Sequence, residues 1–140
     1  MVDGKYFEPI VEAMRKVVEE AGGTASQART KNITICGKTG TAQNPHGEDH
    51  SVFIAFAPKD NPKIAISVYV ENAGFGGQWA APIASLMIEK YLNHGVITDT
   101  LKEKRILNQV ILNLKPPKSG FDKAYLDSLN SGLRVKTFDY

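Results

Sequence analysis

The sequence has only one cysteine, no long apolar run and no cluster of like charge. Each of these features excludes a class of structure or of binding partner. The single cysteine, Cys36, cannot form an internal disulfide, so the sequence has no disulfide framework. No apolar stretch approaches the roughly 20 residues that a membrane-spanning helix needs. The first residues also lack the basic and apolar segments of a secretion signal. We therefore expect neither a membrane anchor nor an export signal within this sequence.

The net charge is small and is concentrated toward the C-terminus. Residues 1–97 carry 9 basic and 10 acidic side chains, whereas residues 98–140 carry 8 and 5. An excess of three positive charges over this C-terminal segment is too dilute for the clustered stripe that neutralises nucleic-acid phosphates. The charge distribution therefore predicts no nucleic-acid partner.

The spacing of apolar residues predicts two helices. The first begins near Pro9 and ends at Gly22 and Gly23, because glycine adopts the left-handed C-terminal conformation without strain. The polar stretch TASQARTKN after it is predicted to be a loop. The apolar face of this first helix comprises Ile10, Met14, Val17, Val18 and Ala21. The second helix follows a glycine-rich loop and ends near Gly95. Its apolar face comprises Trp79, Ile83, Leu86, Met87 and Tyr91. We expect each helix to bury its apolar face in the core.

Three short runs of residues predict strands at 32–38, 51–58 and 63–71. The last run alternates, which predicts one apolar face of Ile64, Ile66, Val68 and Val70. The short connections between the three runs favour antiparallel pairing, because a parallel pair needs a crossover of about a dozen residues or more. The predicted fold class is therefore α+β, with a three-stranded antiparallel sheet flanked by an N-terminal and a C-terminal helix. Three strands form a thin sheet for helices this apolar, so we expect the sheet to be incomplete.

Residues 98–140 are predicted to be a C-terminal tail, partly helical or mobile, that follows a unit formed by residues 1–97. The tail contains two amphipathic stretches separated by the sequence KPPKSG. The apolar residues of the first stretch are Leu107, Val110, Ile111 and Leu114, and those of the second are Phe121, Tyr125, Leu126 and Leu129. Either stretch could form a docked helix.

The stretch ITICGKTGTAQNP places a lysine and two threonines beside two glycines at the end of a predicted strand. A P-loop fits poorly, because Asn32 occupies the position of its leading glycine and the residues after GKT form a turn instead of a helix. On a strand, Lys38 and Gly40 lie on one side, and Thr39 and Thr41 lie on the other. A cation, hydroxyl groups and a glycine that permits close backbone approach suit a peptide that ends in a carboxylate.

Two other groups of residues are predicted to be structural. Cys36 lies within an apolar run and is expected to behave as a small hydrophobic residue. The loop residues His46, Glu48, Asp49 and His50 could ligate a metal, but their spacing favours a solvated loop. The GFGG run lacks the remainder of a dinucleotide fingerprint. We therefore predict no metal ion and no cofactor.

The run KTGTAQ, with its preceding helix and the following SVFIAFAPKDNPKIAISVYVEN, resembles the last part of the transpeptidase domain of class B penicillin-binding proteins, most of all the penicillin-binding protein 2 group. The resemblance covers about residues 5 to 95. Family members carry S-x-x-K, S-x-N and K-T-G motifs in that order. Here no serine or threonine is followed three places later by lysine, and S-x-N occurs only at Ser128–Asn130, after K-T-G. We therefore expect residues 1–97 to be the C-terminal portion of a transpeptidase domain without its nucleophile.

The resemblance implies a serine-type peptidoglycan D,D-transpeptidase that cross-links stem peptides through an acyl-serine intermediate and binds β-lactams. Lys38 would be catalytic and would contact the serine of the second motif. Thr39, Gly40 and Thr41 would bind substrate, and the Thr41 backbone N–H would be an oxyanion-hole donor. The whole protein would act at the periplasmic face of the bacterial inner membrane with cell-wall elongation proteins. We expect the isolated chain to be inactive and to self-associate.

Alternative functions stay open at the level of sequence. Serine β-lactamases and penicillin-sensing receptors share the K-T-G strand, although the flanking residues favour a transpeptidase. A non-enzymatic peptide-binding module would need only the cleft, and an activity test is required to separate it from an enzyme.

Overall fold

The computed structural model describes residues 3–110, which form a three-stranded sheet and three α-helices. The elements in chain order are helix α1 at Phe7–Glu19, strand β1 at Cys36–Ala42, strand β2 at His50–Ala57, strand β3 at Ile64–Val70, helix α2 at Ala80–Leu92 and helix α3 at Thr100–Leu107. Short 3₁₀ turns lie at Gly4–Tyr6 and Ser26–Ala28. The predicted α+β class with an antiparallel sheet between an N-terminal and a C-terminal helix is confirmed.

The three strands form an antiparallel meander in the order β1-β2-β3. Thr39 of β1 lies opposite Phe53 of β2, which in turn lies opposite Val68 of β3. The first strand begins later than predicted, because residues 32–35 lie outside the ladder and pairing continues through Ala42. The K-T-G residues therefore lie in the middle of a paired strand, where the backbone of β2 fixes their positions.

The core lies between one face of the sheet and the helices. Its fully buried residues include Val18 of α1, Ile35, Phe53 of β2 and Ile88 of α2. A Cβ atom at Gly37 would overlap the Phe53 ring, so glycine at this position lets the ring lie directly against β1. This contact orients β1 relative to the core, and thereby orients the K-T-G segment that follows Gly37.

Helix α2 buries only part of the predicted face, since Leu86 is buried as predicted and other residues of that face are exposed. Met87 and Tyr91 are 52% and 61% exposed, whereas the buried face carries mostly small residues. These buried residues are Ala80, Ala81, Pro82, Ala84, Ser85, Leu86, Ile88 and Glu89. Small side chains let the helix axis approach the sheet closely, so shape complementarity selected this face over the face with larger apolar residues.

Helix α1 and the loop after it also differ from the prediction. Only Val18 of α1 is fully buried, and Ile10, near the start of the predicted apolar face, is 57% exposed. The following polar stretch is not simply a surface loop, because Ala25, just before the 3₁₀ turn, and Ala28, its last residue, are fully buried. Gly22 has a φ of 84°, which matches its predicted role at the end of the helix.

Helix α3 docks on the rest of the chain through two basic side chains. The Lys102 ammonium donates to the Arg29 carbonyl oxygen at 2.9 Å, and Arg105 donates to the Gln27 side-chain oxygen at 2.7 Å. Leu107 at the end of α3 is 75% exposed. Ile111 and Leu114, two apolar residues of the first predicted amphipathic stretch, lie outside the described residues, as does the whole second stretch. Within residues 3–110, every helix is too short or too polar to cross a bilayer.

Candidate functional site

The K-T-G strand presents its threonines to one face of the sheet and its lysine to the other. Thr39 lies opposite Phe53, which is buried against the helices, whereas Lys38 lies opposite Ile54, which is 49% exposed on the outer face. Residues directly opposite in an antiparallel pair share a face of the sheet. The alternation predicted from the two-residue period is therefore present, and the glycine at position 40 does not abolish it.

The threonine face opens into a cleft of about 540 Å³ between β1, the loop after α1 and the glycine-rich loop before α2. Its lining residues are Thr24, Ser26, Gln27, Thr39, Thr41, Phe75, Gly76, Gly77 and Gln78. All these side chains are neutral, and four carry hydroxyl groups that donate hydrogen bonds. A carboxylate accepts several hydrogen bonds and would meet no like charge in this lining. The donor set therefore suits an anionic ligand.

The glycine-rich loop of residues 73–79 lies directly on the K-T-G strand. A Cβ atom at Gly76 would overlap the carbonyl oxygens of Val52 and Gly40, so only glycine allows this approach. Phe75, next to it in the loop, is 71% exposed at the edge of the cleft. The proximity of Gly40 and Gly76 explains why two glycine-containing segments, far apart in sequence, form adjoining walls of one cleft.

Thr24 is a cleft residue that the sequence did not reveal. Its Oγ1 atom lies 2.9 Å from the Oγ1 atom of Thr39, within hydrogen-bonding distance. Ser26 and Gln27 line the same cleft from the same loop. No local pattern in the stretch GGTASQ marks these residues as neighbours of a strand that begins about a dozen residues later, because this proximity arises from the reversal of the chain after α1.

Lys38 does not line the cleft. Its side chain is exposed, and its ammonium donates a hydrogen bond to the carbonyl oxygen of Thr39 at 2.9 Å. The structure therefore brings the Thr39 and Thr41 side chains together in one cleft, with Gly40 packed against Gly76. The lysine ammonium lies on the other side of the same strand.

The remaining candidate residues have structural surroundings. Cys36 is fully buried, and burial raises the pKa of its thiol, as expected of a small hydrophobic residue. In the loop between β1 and β2, Asp49 accepts a hydrogen bond from the Asn44 N–H, and His50 Nδ1 accepts one from the Asn72 N–H at 3.0 Å. Within the described part of the chain, no three histidine, cysteine, aspartate or glutamate side chains cluster as metal ligands do.

Three solved structures with a similar fold are those of penicillin-binding proteins. The structure is similar to that of Pseudomonas aeruginosa PBP2 in complex with WCK 5153, with a TM-score of 0.60 and 34% identity over 71% of this chain and 22% of that one. A ceftriaxone acyl-enzyme complex of Mycobacterium tuberculosis penicillin-binding protein A matches with a TM-score of 0.55 and 33% identity, over 63% of this chain and 21% of that one. Helicobacter pylori PBP2 in complex with MreC matches with a TM-score of 0.57 and 27% identity, over 68% and 19%.

The sheet, its flanking helices and the K-T-G strand beside a cleft define a protein of the transpeptidase and β-lactamase fold class. Residues 1–89 match the family model of the penicillin binding protein transpeptidase domain. The chain belongs to this family. Over 103 residues it is 39% identical to the peptidoglycan D,D-transpeptidase MrdA of Haemophilus influenzae. This match covers 62% of the chain and 16% of that relative, so the chain spans about a sixth of the relative's length.

Proposed function

We propose that this chain supplies the carboxylate-binding wall and one oxyanion donor of a serine-type peptidoglycan D,D-transpeptidase. The observation that carries the proposal is the cleft in which the Thr39 and Thr41 side chains lie on one face of β1 among exclusively neutral lining residues. Such a wall can bind the terminal carboxylate of a D-alanyl-D-alanine stem peptide or of a β-lactam through charge-assisted hydrogen bonds, which are stronger than neutral ones. The names of several relatives, among them a D,D-transpeptidase and two penicillin-binding proteins, support this substrate class.

The reaction proceeds through two acyl transfers. A serine hydroxyl, supplied by an S-x-x-K motif that this sequence lacks, attacks the carbonyl carbon of the penultimate D-alanine, and the terminal D-alanine leaves with the proton. An amine of a neighbouring stem peptide then attacks the acyl-serine ester, and the serine hydroxyl is regenerated. The backbone N–H of Thr41 donates to the oxyanion of both tetrahedral intermediates. One such donor is worth about 3 kcal/mol in the transition state.

Lys38 and Gly40 complete the proposed site. Lys38 is exposed and donates to the Thr39 carbonyl oxygen in this structure, and in the complete site it would contact the serine of the family's S-x-N motif instead. Gly40 has no side chain, and we propose that it lets a substrate backbone lie close to the edge of β1. These roles are proposed from the K-T-G motif of the family. The proposed roles of Thr39 and Thr41 are also supported by the position of both residues in the cleft.

The same relatives also support a proposal for the cellular setting. Peptidoglycan synthesis takes place outside the bacterial inner membrane, so we propose that the whole protein acts at its periplasmic face. The structure of a related PBP2 in complex with MreC supports cell-wall elongation proteins as partners. Residues 1–97 would then form the end of the transpeptidase domain, and residues 98–140 would form an extension beyond it.

The test is covalent capture by a labelled penicillin. Two proteins are compared: the chain alone, and the chain joined to an N-terminal segment that bears an S-x-x-K motif. The segment is the one encoded upstream of the chain if it contains such a motif, and otherwise the matching part of the H. influenzae relative. Mass spectrometry should detect one penicillin adduct on the S-x-x-K serine of the joined protein. Replacing that serine by alanine is the control and should abolish the adduct.

The chain alone should form no adduct, because nucleophile and activating lysine are both missing from it. A stoichiometric adduct on the chain alone would show that another residue is the nucleophile. A joined protein that folds but never acylates would favour the second candidate function, a non-enzymatic peptide-binding module, which the absence of S-x-x-K in this sequence keeps open.

A further inference from the structure

We propose that Thr24 is a positioning residue of this site, whose hydroxyl orients the Thr39 hydroxyl for donation to the substrate carboxylate. The inference rests on the proposed function and adds a residue that lies outside the K-T-G motif. The Oγ1 atoms of Thr24 and Thr39 lie 2.9 Å apart, within hydrogen-bonding distance. Both residues line the same cleft, so a ligand there would meet the two hydroxyls as a pair.

The backbone on either side of Thr24 is fixed by hydrogen bonds to helix α1. The N–H of Gly23 donates to the Glu20 carbonyl at 3.1 Å, and the N–H of Ala25 donates to the Val17 carbonyl at 3.0 Å. A Cβ atom at Gly23 would overlap the Val17 carbonyl oxygen, so glycine is required where the chain folds back on the helix. Ala25 is fully buried. The position of the Thr24 hydroxyl is therefore set by the helix end and the core.

The glycine-rich loop closes on Thr24 from the opposite side. A Cβ atom at Gly77 would overlap the Thr24 carbonyl oxygen and would lie 3.8 Å from Cγ2 of Thr39. Gly77 therefore packs against the backbone of one threonine and beside the methyl group of the other. The two hydroxyls form the hydrogen bond that links the loop after α1 to strand β1.

The proton count of the pair explains how Thr24 acts on substrate binding. Each hydroxyl has one proton, and one of the two protons forms the bond between the residues. If Thr24 donates to Thr39, the Thr39 proton is left to point at the ligand, and donation into its oxygen makes it a stronger donor. Without Thr24, the Thr39 hydroxyl would rotate among its staggered positions, and part of its population would point away from the ligand.

The test measures acylation rates of the S-x-x-K-bearing protein described above with a penicillin and with its methyl ester. Thr24→Val removes the hydroxyl but keeps the shape of the side chain, and Thr24→Ser restores the hydroxyl. Thr34→Val is the matched control, since Thr34 is exposed and does not line the cleft. We expect Thr24→Val to lower the second-order rate about tenfold with the free carboxylate, which corresponds to one hydrogen bond, and to leave the rate with the ester nearly unchanged. Thr24→Ser should react within about twofold of the parent.

The double variant with Thr39→Val separates positioning from a general loss of structure. If Thr24 acts through Thr39, the double variant should be no slower than Thr39→Val alone, because the second hydroxyl has nothing left to orient. The inference would be overturned if the rate losses of the two single variants multiplied in the double variant. It would also be overturned if Thr24→Val acylated at the parental rate, or if its rate fell by the same factor with the free carboxylate and with the methyl ester. A parent protein that does not acylate at all would overturn the proposed function, and this inference with it.

Discussion

The hydroxyl of Ser51 links strand β2 to the start of helix α2, because it accepts a hydrogen bond from the Ala80 N–H at 3.0 Å. The same hydroxyl donates to the carbonyl oxygen of Phe75 at 3.0 Å. Ser51 is fully buried and lies opposite Thr41 in the sheet. One side chain beside the proposed oxyanion donor thus ties both ends of the glycine-rich loop to the strand pair that carries the K-T-G residues.

We predict that Ser51→Ala destabilises the chain and loosens the glycine-rich loop. The substitution leaves the buried N–H of Ala80 without its partner, and an unsatisfied buried group costs about 1–3 kcal/mol. The Phe75 carbonyl loses one of its two hydrogen bonds and keeps the one from the Gln78 N–H. Chemical denaturation would measure the loss, and amide hydrogen exchange would show faster exchange in residues 73–80. Ser67→Ala is the matched control, because Ser67 is exposed on β3. Equal stability of the Ser51 variant and the parent would show that water replaces the hydroxyl.

Replacing Lys38 by alanine should abolish acylation much more than it affects folding. The side chain is exposed, so its removal should change the free energy of unfolding by no more than about 0.5 kcal/mol. In the S-x-x-K-bearing protein, acylation by a β-lactam should fall by about two orders of magnitude or more, because a positioned cation is lost. Stopped-flow acylation and thermal melts measure the two effects. A variant that acylates normally but melts far lower would make Lys38 a structural residue.

Thr39→Val should act differently from Lys38→Ala, because it deletes a hydroxyl while retaining the backbone donor of Thr41. We expect weaker binding of carboxylate-bearing ligands, with the rate at saturation changed little. Measuring the acylation rate as a function of β-lactam concentration separates the change in ligand binding from the change in the saturating rate. A fall confined to the saturating rate would contradict carboxylate binding by Thr39.

Acid should destabilise the chain partly through Glu12. The hydrogen bond from Arg15, and after it the one from Lys59, lowers the pKa of Glu12 from 4.5 to about 2. A carboxyl whose pKa is depressed by folding stabilises the native state above its ordinary pKa and loses this contribution as the pH falls through the folded value. The difference in stability between the parent and Glu12→Gln should therefore shrink between pH 4.5 and about 2.

Denaturation curves across this pH range would test the prediction for Glu12. Glu71→Gln is the control, since Glu71 is an exposed carboxylate outside the Glu12, Arg15 and Lys59 cluster. A difference between parent and Glu12→Gln that stays constant from pH 7 to pH 2 would mean that the ion pairs between α1 and Lys59 do not contribute through the charge of Glu12.

The isolated chain should form dimers or larger assemblies. The outer face of the sheet exposes apolar side chains, among them Ile54 at 49% and Tyr69 at 53%, and exposed apolar patches promote association. Light scattering after size exclusion should show a mass above 15.3 kDa. Ile54→Lys combined with Tyr69→Lys should shift the chain toward monomer, whereas Lys63→Glu, a charge change outside this patch, should not. A parent chain that is monomeric at all concentrations would contradict the prediction.

The sequence alone determined the local elements and the identity of the central motif. The alternation in β3 predicted that Ile64, Ile66, Val68 and Val70 share one face, and all four are half-buried while the residues between them are exposed. The same two-residue period separated the Lys38 side of β1 from the Thr39 side. These predictions succeeded because the period of a strand is a property of the backbone and does not depend on which partner it meets.

Tertiary structure decided which helix faces are buried and which segments form the cleft. The apolar spacing of α2 predicted one buried face, but of its large residues Met87 and Tyr91 are exposed, and the helix buries the small residues around Ala84 together with Leu86. Thr24 reached Thr39 through a chain reversal fixed by Gly23, and Gly76 reached Gly40 through close backbone contact. The spacing of apolar residues shows only that a helix or strand has an apolar face. How closely two segments pack depends on the shapes of two surfaces that are distant in sequence. For this reason the motif could be found from the sequence, but its cleft required the fold.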